Sequence, residues 1–330
     1  MTDLARSAYA HLARQILARS TGPPWFRRRE SRPPAAARRR QSTAIPTCAV
    51  PSGGDSGDNL VGDCAQFAGT AQKVKTPGSS RLVGPKGWLA PVAEGLAAAE
   101  RARLALSWRL EACDHHAAIA ASARFVVQLL AVGAPVKLVA AAQRTGDDEL
   151  THTGLCLAMA SAYAGRPITL GAHQADFAIE SYDDPVAIAV ETVRTGCVGE
   201  TVRAALATAA AQQATDPAVR RVFVRIAADE TRHAGLAWRY LKWTLHQRPD
   251  PALLEATAAT FDAQLSRLHD RLAGGGRRRG TAPGQAGILT APERATIALR
   301  TMRLVVMPCA HALLDAAREP GPVVTTADVA

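Results

Sequence analysis

Apolar residues recur with a helical period in six stretches of this chain, and none shows the alternation of a half-buried strand. The first stretch runs over roughly 91–132 and closes at Gly133-Ala134-Pro135. A second covers 135–165, with Pro135 in the first turn, and ends at Gly165-Arg166-Pro167. A linker over 166–183 carries the chain to a third helix, 185–214. Thr215-Asp216-Pro217 caps a fourth, 216–247, and Arg248-Pro249-Asp250-Pro251 starts a fifth, 251–273. After the Gly- and Arg-rich GGGRRRGTAPGQAG, Thr290-Ala291-Pro292-Glu293 opens a last helix over 291–319. The short turns near 133 and 215 predict two antiparallel hairpins. The fold class expected is therefore all-α: a four-helix bundle over 91–319 with two accessory C-terminal helices. Residues 320–330 form a short tail. Residues 1–90, rich in Arg, Pro, Gly and Ser, have no apolar period and are predicted to be a disordered tail.

Composition agrees with close-packed helices. Hydrophobic residues make up 48% and aromatic residues only 5%, so alanine carries much of the core. The net charge is +10, but residues 1–50 hold ten Arg against Asp3 and Glu30. That segment alone supplies +8, and the helical body is close to neutral. Polyanion binding is thus an expectation for the tail and not for the bundle. The six cysteines (48, 64, 113, 156, 197 and 309) form no C-x-x-C pair, which excludes a zinc ribbon, a rubredoxin-like site and a thioredoxin motif. A reducing, cytoplasmic compartment is the expectation. No apolar run approaches the ~18 residues of a membrane span, so none is expected.

The chemistry lies in a repeated turn. Asp148, Glu149 and His152 form one Asp-Glu-x-x-His, and Asp229, Glu230 and His233 form another. Residues three apart share a helix face, and the flanking residues point these faces inward: Cys156 and Met159 in one case, Ile226 and Leu241 in the other. Buried carboxylates and imidazoles need partners, and together they suit iron or manganese. A bundle-core site of this type needs one further carboxylate from each remaining helix. Counting back from the turn at 215 finds Glu200 level with Glu230. The same count in the first hairpin reaches Cys113-Asp114-His115-His116, where no glutamate stands.

The segments HHAAIAASARF (115–125), DDELTH (147–152), GCVGET (196–201) and DETRH (229–233) resemble a bacterial ferritin-like family with two such motifs. The resemblance covers about 91–318. It implies a di-iron carboxylate centre whose first-helix glutamate falls on His115. Three readings stay open there: His115 as a nitrogen ligand, Asp114 in its place after a small helix rotation, or a degraded first metal position. The implied ligands are Glu149, His152, Glu200, Glu230, His233 and His115. Asp148 and Asp229 would each accept from the imidazole on the other motif helix. Two irons are implied, with manganese or zinc as substitutes. The implied activity is an oxidoreductase or ferroxidase using O₂ or peroxide and an external electron donor. The alternative is a non-catalytic bundle with a degenerate site. A homodimer is left open.

Overall fold

The computed structural model describes residues 12–14, 90–171, 182–247, 250–274 and 287–318. All of them belong to one compact unit, Met1–Thr21 with Gln72–Ala330. Among the described residues there are helices and connections and no strand. The helices are α1 (Ala98–Ala131), α2 (Val136–Ala164), α3 (Pro185–Glu191), α4 (Thr201–Gln213), α5 (Pro217–Gln247), α6 (Pro251–Gly274), α7 (Ala291–Thr301) and α8 (Met307–Arg318). A π-helical segment, π1 (Thr192–Glu200), joins α3 to α4 without a break, and π2 (Met302–Val306) joins α7 to α8. The third and sixth sequence stretches are thus each continuous, but each contains a widened turn.

Local chemistry explains the ends. Gly133 and Gly165 have φ of 70° and 66°, a left-handed conformation that favours glycine, and they end the two helices of the first hairpin. Asp184, Asp216 and Asp250 each accept a hydrogen bond from the amide two residues on, opening α3, α5 and α6. Thr290 and Glu293 form a reciprocal capping box at the start of α7. The first helix begins at Ala98 and not near 91. The chain before it is held differently: the Val92 amide donates to Asp216 Oδ2 at 2.7 Å, tying it to the turn of the second hairpin.

Helix α1 pairs with α2, π1 and α4 pair with α5, and α2 packs on α5. Helix α6 lies on α3 and π1, while α7 and α8 lie on α4 and α5. Two apolar clusters fill the interior. One holds Leu129 and Val132 of α1, Leu138 and Ala142 of α2, Val193 and Val198 of π1, and Leu236 to Leu245 of α5. The other holds Leu104 and Trp108 of α1, Cys156 and Met159 of α2, Ala207 and Ala210 of α4, and Val219 to Ile226 of α5. Helices α1, α2 and α5 cross both clusters, and the continuous run α3–π1–α4 passes from the first to the second. The stretch between them on each helix is where polar residues enter the interior. Leu12 and Ala13, in a helical turn at 12–14, pack against the first cluster, so this part of the predicted tail is ordered. The rest of the predicted tail, apart from Ala90, lies outside the described residues.

The stretch Ala291–Arg318 reaches a mean hydropathy of 1.4 over 18 residues, long and apolar enough to cross a membrane by composition alone. The expectation of no such run is corrected here. Half of that window is buried against the rest of the chain, as in a core helix, which accounts for its apolar character without a membrane.

Candidate metal centre

Between the two apolar clusters, α1 contributes His115, α2 contributes Glu149 and His152, π1 ends on Glu200, and α5 contributes Glu230 and His233. Glu149, His152 and Glu230 are fully enclosed, and His115 is 2% exposed. The i, i+3 spacing of each Glu-x-x-His puts both side chains on one face. His115 Nδ1 lies 2.7 Å from Glu149 Oε2 and 3.7 Å from Glu230 Oε1. His233 Nδ1 lies 3.3 Å from Glu149 Oε1 and 3.2 Å from Glu230 Oε2. His152 Nδ1 faces the same carboxylates at 3.7 and 3.9 Å.

The outer nitrogens of two rings are held by aspartates from the opposite motif. His152 Nε2 is 3.0 Å from Asp229 Oδ2, and His233 Nε2 is 3.2 Å from Asp148 Oδ2. These crossed pairs stitch α2 to α5 and turn each Nδ1 inward. Arginines hold the aspartates from outside: Arg232 donates to Asp148 at 2.8 Å and also to Asp229, and Arg225 donates to Asp229.

Protonation follows from burial set against these partners. Burial alone would raise Glu149, but His115, His152 and His233 outweigh it and hold that carboxyl well below the usual range. Burial would likewise raise Glu230, but hydrogen bonds from Glu200 and His233 bring it down to about 2. Glu200 moves the other way: burial, and then the Glu230 charge, push it well above a normal carboxyl. Of the two, Glu200 is thus the carboxyl that favours keeping a proton, and Glu230 the one that favours ionisation. Burial disfavours charge on His152, yet Asp229 and Glu149 raise it to about 9. His233 is also raised, against burial, by Asp148 and Glu149.

Four buried oxygens and nitrogens of this cluster have no hydrogen-bond partner among the described residues: Glu149 Oε1, His152 Nδ1, Glu200 Oε2 and Glu230 Oε1. Unsatisfied polar atoms are costly inside a protein, and these converge on one small volume. Two overlapping groups of four residues each bring one ligand atom apiece within 4.8 Å of one another. One is His115, Glu149, His152 and Glu230, and the other is Glu149, Glu200, Glu230 and His233. Carboxylate oxygens and imidazole nitrogens in such a dry volume fit a divalent transition metal.

Of the residues singled out in the sequence, Asp114 alone stands apart. It is exposed and belongs to neither group, and on this turn of α1 it is His115 that meets Glu149. Sequence reasoning missed Arg203, one turn beyond Glu200, whose charge acts on Glu200, Glu230 and Glu149. The same i, i+3 rule that linked Glu230 to His233 would have found it. It also missed π1, whose wider turns carry Gly196 against α5: a Cβ there would sit 2.5 Å from Ala237 Cβ. Single π turns inside α-helices recur at functional sites.

Comparison with known proteins finds no matching family model, no matching curated protein and no matching solved structure. The chain is thus characterised by its own geometry: an all-helical protein with a buried cluster of histidines and glutamates at metal-holding distances.

Proposed function

We propose that this chain is a ferritin-like metal protein that holds two divalent ions, iron foremost, and acts as an oxidoreductase or ferroxidase on O₂ or peroxide. The observation that supports this most strongly is that the two ligand groups share Glu149 and Glu230. Shared carboxylates between two ligand sets are what a dinuclear centre needs. One ion would be held by His115, Glu149, His152 and Glu230, and the other by Glu149, Glu200, Glu230 and His233.

Iron held there would supply the electrons for reducing O₂ or peroxide. The chain's own residues set the conditions. Asp229 and Asp148 fix the tautomer of His152 and His233, so that Nδ1 is the ligand atom. The apolar clusters on either side exclude water. Glu200 carries a proton that it releases when it becomes a ligand. With His115 in place of a carboxylate, the set holds three carboxylates and three imidazoles. It therefore carries less negative charge than a four-carboxylate centre, and Arg203 lowers it further. Low total metal charge is favoured: Fe(II), Mn(II) or Zn(II). Without a C-x-x-C pair, reducing equivalents would come from an external donor. Among the described residues Cys113, Cys156, Cys197 and Cys309 form no disulfide, which fits a reducing, cytoplasmic setting.

The test is metal content per chain after anaerobic loading with Fe(II), for the wild type and Glu230→Ala, followed by O₂ consumption. About two irons, lost in the variant, are expected. His115 and Arg203 favour a second reading, a non-catalytic bundle with a degenerate site. No stoichiometric metal in a folded protein would leave that one standing.

A further inference from the structure

A small cavity of about 50 Å³ lies beside the cluster, with His115 in its wall. Its other walls come from α1, α4, α5 and the chain just before α7. Most of the lining is apolar, with Leu206, Phe223, Ile226 and Leu289 among it. Two hydrogen-bond donors on residues of this wall are enclosed and have no acceptor among the described residues: Trp108 Nε1 and Arg203 Nη1. Trp108 is only 1% exposed, so water does not reach its indole from outside. Glu111 is the acid in the wall, and Arg294 already engages it at 3.2 Å. Glu200 and Glu230 are hydrogen-bonded to one another.

Glu200, Glu230 and Glu149 already act on the Arg203 charge, yet one of its N–H groups and the Trp108 indole N–H, both on residues of this wall, still have no acceptor among the described residues. A guanidinium fork matches a planar carboxylate better than a point charge would. Apolar walls suit a short alkyl group, and enclosed donors without acceptors cost free energy until an acceptor arrives. One enclosed water occupies roughly 10–15 Å³ by the same measure, so the space admits about three to five heavy atoms. We propose that this cavity binds a small monocarboxylate of two or three carbons. Its carboxylate would lie on Arg203 Nη1 and Trp108 Nε1, and its alkyl end against Leu206, Phe223, Ile226 and Leu289. That the ligand would sit next to a metal-bound imidazole rests on the metal reading above. Occupancy of the cavity does not.

The test is titration of the full chain, metal-free, with acetate, propionate, octanoate, propanol and propylammonium, read by calorimetry and tryptophan fluorescence. Acetate and propionate are expected to saturate at one per chain, with no saturation by the alcohol, the amine or the eight-carbon acid. Arg203→Gln is expected to weaken propionate at least about tenfold, the loss of a charged hydrogen bond, while Arg203→Lys keeps part of the affinity. Ala207→Leu, which narrows the cavity without touching the anion, is expected to abolish binding and leave Zn(II) stoichiometry unchanged. Equal binding of propanol and propionate, unchanged affinity in Arg203→Gln, or no saturable carboxylate binding by the wild type would each overturn the proposal. Zn(II) content on the same samples separates the two readings. Carboxylate binding without metal leaves the cavity and removes the centre; metal without carboxylate does the reverse.

Discussion

Burial and the Glu230 charge push Glu200 up while Glu230 moves down, because two buried carboxylates with oxygens within 4.8 Å cannot both ionise cheaply. That asymmetry makes Glu200 a clean probe. In the metal-free protein Glu200→Gln replaces a protonated carboxyl by an isosteric amide that still donates to Glu230. Its stability in urea is expected to stay within about 1 kcal/mol of wild type, since the hydrogen bond is kept. Its metal content should nonetheless fall from about two per chain to about one, because an amide is a poor ligand for the second ion. A variant that loses several kcal/mol before metal is added would show Glu200 to be ionised after all.

The histidines give a pH signature with a definite sign. His152 rises to about 9 in the folded chain, so its contribution to stability is fully present below its ordinary value of 6.5 and is lost as pH climbs through 9. Glu230 falls to about 2, so its contribution is present above 4.5 and is lost as pH drops through 2. The melting temperature of the metal-free protein should therefore fall between pH 6.5 and 9. Metal requires the opposite state: His152, His233 and Glu200 must all give up protons. Metal affinity should then increase over the same range, with proton release seen by calorimetry in buffers of different ionisation enthalpy. A flat melting profile from pH 6.5 to 9 would contradict the assignment of charge to these rings.

Among the elements, π1 is the one that most shapes the site. It touches α5, α6 and π2 and ends on Glu200. Gly196 lets it approach α5 where any side chain would collide with Ala237. Gly196→Ala is expected to destabilise the bundle by roughly 1–3 kcal/mol, the usual cost of overpacking, and to weaken metal binding by displacing Glu200. Ala237→Gly in the same chain should restore most of both, measured by urea denaturation and metal content. The helices themselves were legible in the sequence through the starts at Asp216 and Thr290 and the glycines at 133 and 165. Counting from the hairpin turn singled out Glu200, which the structure places in one group with Glu149, Glu230 and His233. The widened turns were not legible. No residue type marks an i→i+5 bond, and here the close approach at Gly196 is settled by a partner helix some 40 residues away in sequence. The start of α1 was also misread: the apolar residues from Pro91 to Ala97 satisfy a helical period, yet Gly95 turns the chain at a φ of 83° and the Val92 amide bonds to Asp216 instead.

Across the whole molecule, each hairpin contributes three of the six ligands, and each group of four takes three residues from one hairpin and one from the other. His115, Glu149 and His152 come from the first, and Glu200, Glu230 and His233 from the second. The crossed bonds of Asp148 with His233 and Asp229 with His152 already join the hairpins, but the unsatisfied oxygens between them oppose that union until something fills the volume. A ligand that binds only the folded form at 100 times its Kd adds about 2.7 kcal/mol. For a domain of this size each kcal/mol is worth roughly 2–4 °C. Loading with Zn(II), which avoids redox chemistry, is expected to raise the melting temperature by about 5–10 °C, and a chelator should reverse it. Glu149→Gln removes a carboxylate common to both groups and should cancel the whole shift, whereas Glu200→Gln should cancel only part. Equal shifts in the two variants would mean that the groups do not share Glu149, and the two-ion arrangement would fall with it.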